Sequence, residues 1–183
     1  MSRQFGFVLA LASLFLVGCF SPTGTSNDFY NRGVEAFPKD KNKAEKMFKE
    51  ALKQNPNNEY AHNQLGRIYF GRRDLDKAVE QFQAAARLQP NNLIFLENLG
   101  VAAYLKRDFD TAGKVFVRAS ELSPESPSYP YYLGRIAEEE GHRDAAIQYY
   151  QRALKADEFY TQARVRLYHL EARPLTSTPS SQK

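Results

Sequence analysis

The sequence predicts an all-α fold: a right-handed solenoid of about four helix-turn-helix repeats, closed by a C-terminal capping helix. Three features of the sequence point to it. A Leu-Gly pair recurs at a step of 34 residues, at 65–66, 99–100 and 133–134. Prolines keep the same phase, and a proline disfavours helix in the residue before it. The residues that follow this step are Pro56, Pro90 and Pro124; Ala78, Ala112 and Ala146; Phe82, Phe116 and Tyr150; and Ala85, Ala119 and Ala153.

The composition is that of a folded domain and excludes several classes of function. Of 183 residues, 43% are apolar and 25% are charged. The net charge of +4 is too small for the dense positive surface that binding to a nucleic-acid backbone needs. One cysteine and three scattered histidines provide neither an internal disulfide nor a pattern of metal ligands. We therefore expect no metal site, no cofactor and no nucleic-acid partner.

Residues 1–18 have the pattern of a secretory signal peptide. Arg3 precedes a stretch without charge at 4–27, and the segment 5–17 within it is apolar. This apolar segment of about 13 residues is shorter than the roughly 20 residues that a membrane-spanning helix needs. The pattern therefore favours a cleaved signal, and an uncleaved anchor helix is the alternative.

The signal segment ends in Leu-Val-Gly followed by Cys19, which resembles the lipobox of bacterial lipoproteins. The resemblance implies cleavage before Cys19, lipidation of its sulfur and acylation of the new amino terminus. Several acyl chains together anchor a protein stably to a bilayer. Phe20 stands where an Asp commonly retains such proteins in the inner membrane, so the resemblance implies the outer membrane, facing the periplasm. A buried or incidental cysteine is the alternative.

The next elements are a tether and the repeats. Residues 19–26 are rich in Ser, Thr and Gly and predict a flexible tether behind the lipidated cysteine. The repeats occupy about residues 25–160, in four copies at 25–58, 59–92, 93–126 and 127–160. They resemble the tetratricopeptide repeat, whose pattern is a Leu-Gly pair, then Ala, then Phe, then Pro at a period of 34 residues.

The copies depart from the family pattern at a few positions. The first copy has Asn31-Arg32 in place of Leu-Gly, the fourth has Glu158 in place of Pro, and no copy has the usual Trp. The resemblance implies a superhelix whose concave inner surface holds partner peptides or helices.

Small residues are expected to let the two helices of a repeat approach closely. Gly66 has no side chain, which allows the second helix to reach its backbone, and Phe82 then fills the space beyond the crossing. The second helices need side-chain acceptors for their first free N–H groups. Asp76, Asp110 and Asp144 are predicted to be these N-caps, with Asp40, Asp74 and Asp108 in the preceding turns.

The chain after the repeats predicts an end to the array. Residues 161–173 are expected to form a capping helix with Ala163, Leu167 and Leu170 on one face. Residues 174–183 are rich in Ser, Thr and Pro and predict a disordered end.

A second stripe on the first helices remains after the core is assigned. Steps of three, four and three residues select one helix face, and the repeat resemblance implies that this face lines the concave surface. The predicted partner-binding groove consists of Tyr60, Asn63, Arg67, Phe70, Ile94, Glu97, Val101, Tyr104, Tyr131 and Arg135, and the matching set in the first copy is Ser26, Phe29, Gly33 and Ala36. Aromatic residues and Arg are favoured at binding hot spots. The alternative is that the rings are partly buried without any ligand.

The function predicted from these features is binding and not catalysis. No phosphate-binding loop, metalloprotease motif or nucleophile motif occurs in the sequence, so we expect no enzyme. The sequence predicts a membrane-anchored scaffold of the bacterial envelope that binds a protein or peptide partner in its groove. Within that class it resembles lipoproteins that scaffold peptidoglycan enzymes and pilotin-like lipoproteins that assist secretin assembly in type IV pilus biogenesis. The partner and the oligomeric state, including end-to-end stacking of terminal helices, are left open.

Overall fold

The computed structural model describes residues 24–172, and that part of the chain contains nine α-helices and no strand. The helices are α1 (Ser26–Ala36), α2 (Lys41–Gln54), α3 (Glu59–Gly71), α4 (Leu75–Leu88), α5 (Leu93–Lys106), α6 (Phe109–Leu122), α7 (Ser128–Glu139), α8 (Arg143–Ala156) and α9 (Thr161–Ala172). The predicted all-α solenoid of four helical hairpins and a capping helix is confirmed. Within the described residues, no helix has both the length and the apolar character to cross a bilayer.

Several predictions concern the ends of the chain. The predicted signal peptide (1–18), Cys19, most of the tether (19–26) and the predicted disordered end (174–183) lie outside the described residues.

Each helix packs mainly against its neighbours in the chain. The hairpins pair α1 with α2, α3 with α4, α5 with α6 and α7 with α8, and each second helix also packs on the helix that follows it. This arrangement is that of a solenoid, in which a hairpin buries its apolar face only by stacking on the next. The first helices α3 and α5 also contact each other directly. The first helices therefore line one side of the stack.

The glycines of the Leu-Gly pairs lie where the two helices of a hairpin cross. A Cβ placed on Gly66 would lie 2.5 Å from Cδ1 of Phe82, and one on Gly134 would lie 2.5 Å from Cε1 of Tyr150. Both rings are nearly fully buried. The predicted close approach is confirmed, and any side chain at these positions would push a buried ring out of place.

The first hairpin has the same contact between a glycine and an aromatic ring, but its glycine lies one residue later than the 34-residue step predicts. Gly33 lies against Phe48, with a Cβ at that glycine only 2.5 Å from Cε1 of the ring. Gly33, and not Asn31-Arg32, is therefore the counterpart of Gly66. One residue fewer separates the glycine from the aromatic ring in this hairpin, which shifts every position of α1 against the step of 34.

The shift overturns the groove positions predicted for the first copy. Phe29, Gly33 and Ala36 are buried in the hairpin core and cannot face a partner. With the corrected phase, the positions that match the groove stripe are Asn27, Tyr30, Val34 and Phe37.

The N-caps of the second helices lie two residues earlier than predicted. Asp40 accepts hydrogen bonds from the backbone N–H groups of Asn42 and Lys43, at 3.0 and 2.9 Å. Asp74 and Asp108 cap α4 and α6 in the same way. The predicted caps Asp76, Asp110 and Asp144 are wrong, because these residues already lie in the first helical turn. A carboxylate in that turn instead favours the helix through its dipole.

The turns inside three hairpins depend on one left-handed residue each. Arg73 (φ 65°), Arg107 (φ 67°) and Gly141 (φ 78°) occupy equivalent positions. Glycine adopts this conformation without strain, whereas arginine does so at a cost.

Helix α9 is the last helix of the described residues. Its Ala163 is fully buried against the last hairpin, and Leu167 and Leu170 pack beside it. Tyr168 follows Gly134 by one repeat step and therefore occupies the position of the crossing glycine, where its side chain is 69% exposed. A helix packed on α9 at this position could not approach it as closely as α8 approaches α7.

Candidate binding groove

The candidate groove is the side of the stack that the first helices line. Contacts between side chains of successive first helices make its surface continuous. Tyr30 on α1 lies 6.2 Å from Tyr60 on α3, between ring centroids, and the Arg67 guanidinium lies 4.9 Å from the centre of the Phe37 ring. The side chains that contact the next repeat are thus those at the corrected groove positions of α1, Tyr30 and Phe37.

The first half of the groove contains a concavity of ≈ 440 Å³. Four of the predicted groove residues line it: Arg67, Phe70, Glu97 and Val101. Phe37 and Lys41 line it as well, and neither was predicted from the sequence. Arg67 donates from Nη1 to Oε1 of Gln64 at 2.8 Å. The concavity therefore combines apolar walls with charges of both signs.

Two predicted residues form an exposed apolar edge on this side. Ile94 is 63% exposed and Tyr60 is 48% exposed. The Tyr60 ring also meets Phe95 edge-on, at 5.8 Å between centroids. These side chains are open to solvent and available to a partner.

Asn63 lies below the surface, unlike its neighbours in the predicted set. It is only 8% exposed, and its Oδ1 accepts a hydrogen bond of 2.9 Å from Nδ2 of Asn98 on α5. A buried amide needs such a partner. Asn63 therefore joins two repeats and does not stand free as a polar anchor for a ligand.

The second half of the groove is organised around Arg135. Its guanidinium lies 5.5 Å from the centre of the Tyr104 ring and 6.0 Å from that of Tyr131. Nη1 of Arg135 donates to the Tyr131 hydroxyl at 3.2 Å. Burial raises the pKa of Tyr104, against the opposing charge of Arg135. All three predicted residues are half-buried, and Arg135 contacts both rings.

The Tyr131 ring is itself supported by further rings. Tyr132 and Tyr160 each meet it edge-on, at centroid distances of 5.6 and 5.5 Å. Sequence reasoning missed both, because Tyr132 lies outside the stripe and Tyr160 lies in the connection to α9.

The three adjacent carboxylates at 138–140 have separate partners. Glu138 accepts a hydrogen bond from the buried Tyr150 hydroxyl, and burial followed by this bond raises the Tyr150 pKa. Glu139 pairs with Arg107 at 2.9 Å. Because these carboxylates are spread over different contacts, they form no acid–base pair. The described part of the chain also contains no cluster of side chains suited to a metal ion.

Comparisons with known proteins agree with this architecture. Among solved structures, the chain is similar to the MamA protein, with 22% identity over 79% of this chain and 80% of that one, at a TM-score of 0.74. It is similar to MamA from residue 41 to its end from Desulfovibrio magneticus RS-1, with 18% identity over 80% and 83% of the two chains, at a TM-score of 0.72. It is also similar to YrrB, described as a TPR protein with an unusual peptide-binding site, with 20% identity over 77% and 73%, at a TM-score of 0.70. No curated protein sequence matches the chain.

Family membership comes from the repeats themselves. At these identities the solved structures establish the fold alone. A profile of the tetratricopeptide repeat matches residues 39–92, 63–127 and 98–163, which together are well over half of the chain. These matches cover the helices from α2 to α8. The chain belongs to the tetratricopeptide repeat family.

Proposed function

We propose that this protein is a lipid-anchored scaffold of the bacterial envelope that binds a peptide or helix of a partner protein in its groove. Tetratricopeptide repeat proteins are in general non-enzymatic scaffolds suited to protein–protein interaction, and the related structure YrrB is described as having a peptide-binding site. The observation that carries the proposal is the continuous groove of half-exposed aromatic and Arg side chains across successive first helices. Such residues supply contact area and directed hydrogen bonds at little entropic cost.

The experiment is a crosslinked affinity purification from the producing bacterium. The Ile94→Glu variant places a charge at an exposed groove position, while Val117→Glu places the same charge at a 43% exposed position on the second helix α6. Proteins that Ile94→Glu loses and Val117→Glu retains are groove partners. Identical sets of captured proteins for both variants and the wild type would contradict the groove as the binding surface.

A separate test addresses the buried-ring alternative. Tyr104→Ala and Tyr131→Ala should weaken binding of a captured partner more than they lower the melting temperature. Equal losses of binding and stability would favour rings that act only in packing.

The anchor is supported by the sequence at 16–19, where the lipobox resemblance places the single cysteine of the chain. A tethered scaffold raises the local concentration of its partners beside the membrane. We place it at the outer membrane, facing the periplasm, because no Asp follows Cys19.

A pilotin-like role in type IV pilus biogenesis is the second candidate. It is favoured by the same combination of a lipobox and about four repeats. Loss of secretin multimers in a strain without this protein would support it, and unchanged multimers would exclude it.

A further inference from the structure

The second half of the groove carries a positive charge, that of Arg135, which no carboxylate of residues 24–172 pairs with. We propose that Arg135 binds the carboxylate of an Asp or Glu side chain in the middle of a partner segment, with an apolar residue of that segment beside it. This inference rests on the proposed function and specifies the chemistry that its groove recognises.

The position of Arg135 is fixed before any partner arrives. Its planar guanidinium lies against the rings of Tyr104 and Tyr131, and one of its N–H groups donates to the Tyr131 hydroxyl. Five N–H donors are available on a guanidinium, arranged to meet the two oxygens of a carboxylate. A side chain held by two rings loses little further freedom when it binds, so its remaining donors are preorganised.

The nearby carboxylates already have other partners. Glu138 accepts from the Tyr150 hydroxyl and lies 4.0 Å from Nη1 of Arg166. Glu139 pairs with Arg107. No carboxylate among residues 24–172 forms an ion pair with Arg135, although its side chain is half-buried. Burial opposes the Arg135 charge, and the Tyr131 hydroxyl and the neighbouring tyrosine rings offset it. An acidic side chain from a partner would add a full counter-charge to this partly desolvated group.

Arg67 does not offer the same site. It stacks on one ring only, that of Phe37, and bonds Gln64. It is exposed, and Glu97 lines the same concavity. Water therefore already screens its charge.

The surface around Arg135 favours a partner segment that extends along the groove on both sides of Arg135, and not one whose chain terminus lies at Arg135. Val101 lies one turn before Tyr104 on the same face of α5, and Val165 on α9 follows Tyr131 by one repeat step and is 48% exposed. Apolar surface therefore continues on both sides of the guanidinium. This favours a side-chain carboxylate over a chain terminus, and an apolar neighbour in the bound segment.

Selection from a displayed library of random peptides tests the inference. Each peptide is fused through its C-terminal end, so that every carboxylate it offers, other than those of the carrier, is on a side chain. The baits are the full-length wild type, Arg135→Gln, Arg135→Lys and Arg118→Gln, the last at an exposed position on α6. Wild type and Arg118→Gln should enrich peptides with an Asp or Glu at a fixed distance from an apolar residue. Arg135→Gln should keep the apolar preference and lose the acidic one.

A synthetic version of the most enriched peptide gives the magnitude. We expect the acidic peptide to bind wild type at least about tenfold more tightly than the same peptide with the acid changed to its amide. The two peptides should bind Arg135→Gln equally. Arg135→Lys retains the charge without the planar fork, so its ratio of affinities for the acidic and amide peptides should be intermediate. This variant also tests the inference if Arg135→Gln does not fold.

The outcomes separate this inference from the proposed function. Enriched peptides without an acidic preference, or a preference that persists in the Arg135 variants, would overturn the role of Arg135 while leaving groove binding intact. If wild type enriches no peptide over an empty support, both the inference and the proposed function are contradicted.

Discussion

Adding a single methyl group at Gly100 probes the contact on which each hairpin depends. In Gly100→Ala the new Cβ would lie 2.7 Å from Cζ and 2.8 Å from Cε1 of Phe116. The Phe116 ring is fully buried and stacks on Tyr132, with 4.6 Å between centroids and 2° between planes. The ring therefore has no free space into which it can withdraw.

Two opposing effects set the magnitude of the change. Alanine favours a helix over glycine by about 1 kcal/mol. Overpacking a filled core costs about 1–3 kcal/mol, and the short distances at Gly100 place this site toward the upper end. We expect Gly100→Ala to lower the free energy of unfolding by about 1–2 kcal/mol.

Gly113 provides a matched control in the partner helix of the same hairpin. A Cβ at Gly113 would meet no atom within 4 Å, and the residue lies inside α6. Gly113→Ala should therefore raise the free energy of unfolding by about 0.5–1 kcal/mol through helix propensity alone. The same substitution is thus expected to change stability in opposite directions at two positions of one hairpin.

Equilibrium unfolding in urea, followed by circular dichroism, measures both changes. At a slope of about 2 kcal/mol per molar urea, Gly100→Ala should lower the midpoint by about 0.5–1 M. Phe116→Leu in the Gly100→Ala background should recover part of the loss, because the smaller side chain vacates the space. If Gly100→Ala proves as stable as wild type or more so, helices α5 and α6 do not cross at the distance described.

Three further predictions concern other contacts. Burial opposes ionisation of Glu45, but hydrogen bonds from Lys49 and Arg72 prevail and lower its pKa from 4.5 to about 2. The stabilisation from this pairing is present above the unfolded pKa of 4.5 and is lost as the pH falls toward about 2. The melting temperatures of wild type and Glu45→Gln should therefore converge over that interval, and a constant difference would refute the pairing. Asp108→Ala should lower the free energy of unfolding by about 1 kcal/mol and Asp110→Ala by less, as urea unfolding would show; an equal or larger loss for Asp110→Ala would contradict Asp108 as the cap. Cys19→Ser should release the protein from membrane pellets, and continued acyl labelling of this variant would contradict lipidation at that sulfur.

The repeat period made most of the fold predictable. A step of 34 residues in small, aromatic and proline positions is enough to place four helical pairs, because each pair solves the same local packing problem. The prediction failed in the first copy, where a single residue fewer between Gly33 and Phe48 changes the phase of α1. Counting from the repeat step could not detect this, whereas pairing each glycine with its aromatic ring would have found it.

The N-cap error has a different origin. The sequences around Asp74 and Asp108 each contain a second Asp two residues later, and both have the chemistry of a cap. Which of them caps the helix depends on where the turn ends, and the left-handed residues Arg73 and Arg107 fix that point. No local residue preference predicts arginine there.

The sequence by itself determined that helical hairpins stack and which face of the first helices α3, α5 and α7 stays outside the core, because both follow from the spacing of side chains along a helix. Only the tertiary structure decided which of those side chains meet. Asn63 is buried and accepts a hydrogen bond from Asn98 of the next repeat. Arg135 lies against the rings of Tyr104 and Tyr131, which belong to different helices. These contacts depend on the distance and rotation between hairpins, which the packing of whole helices sets and no single repeat contains.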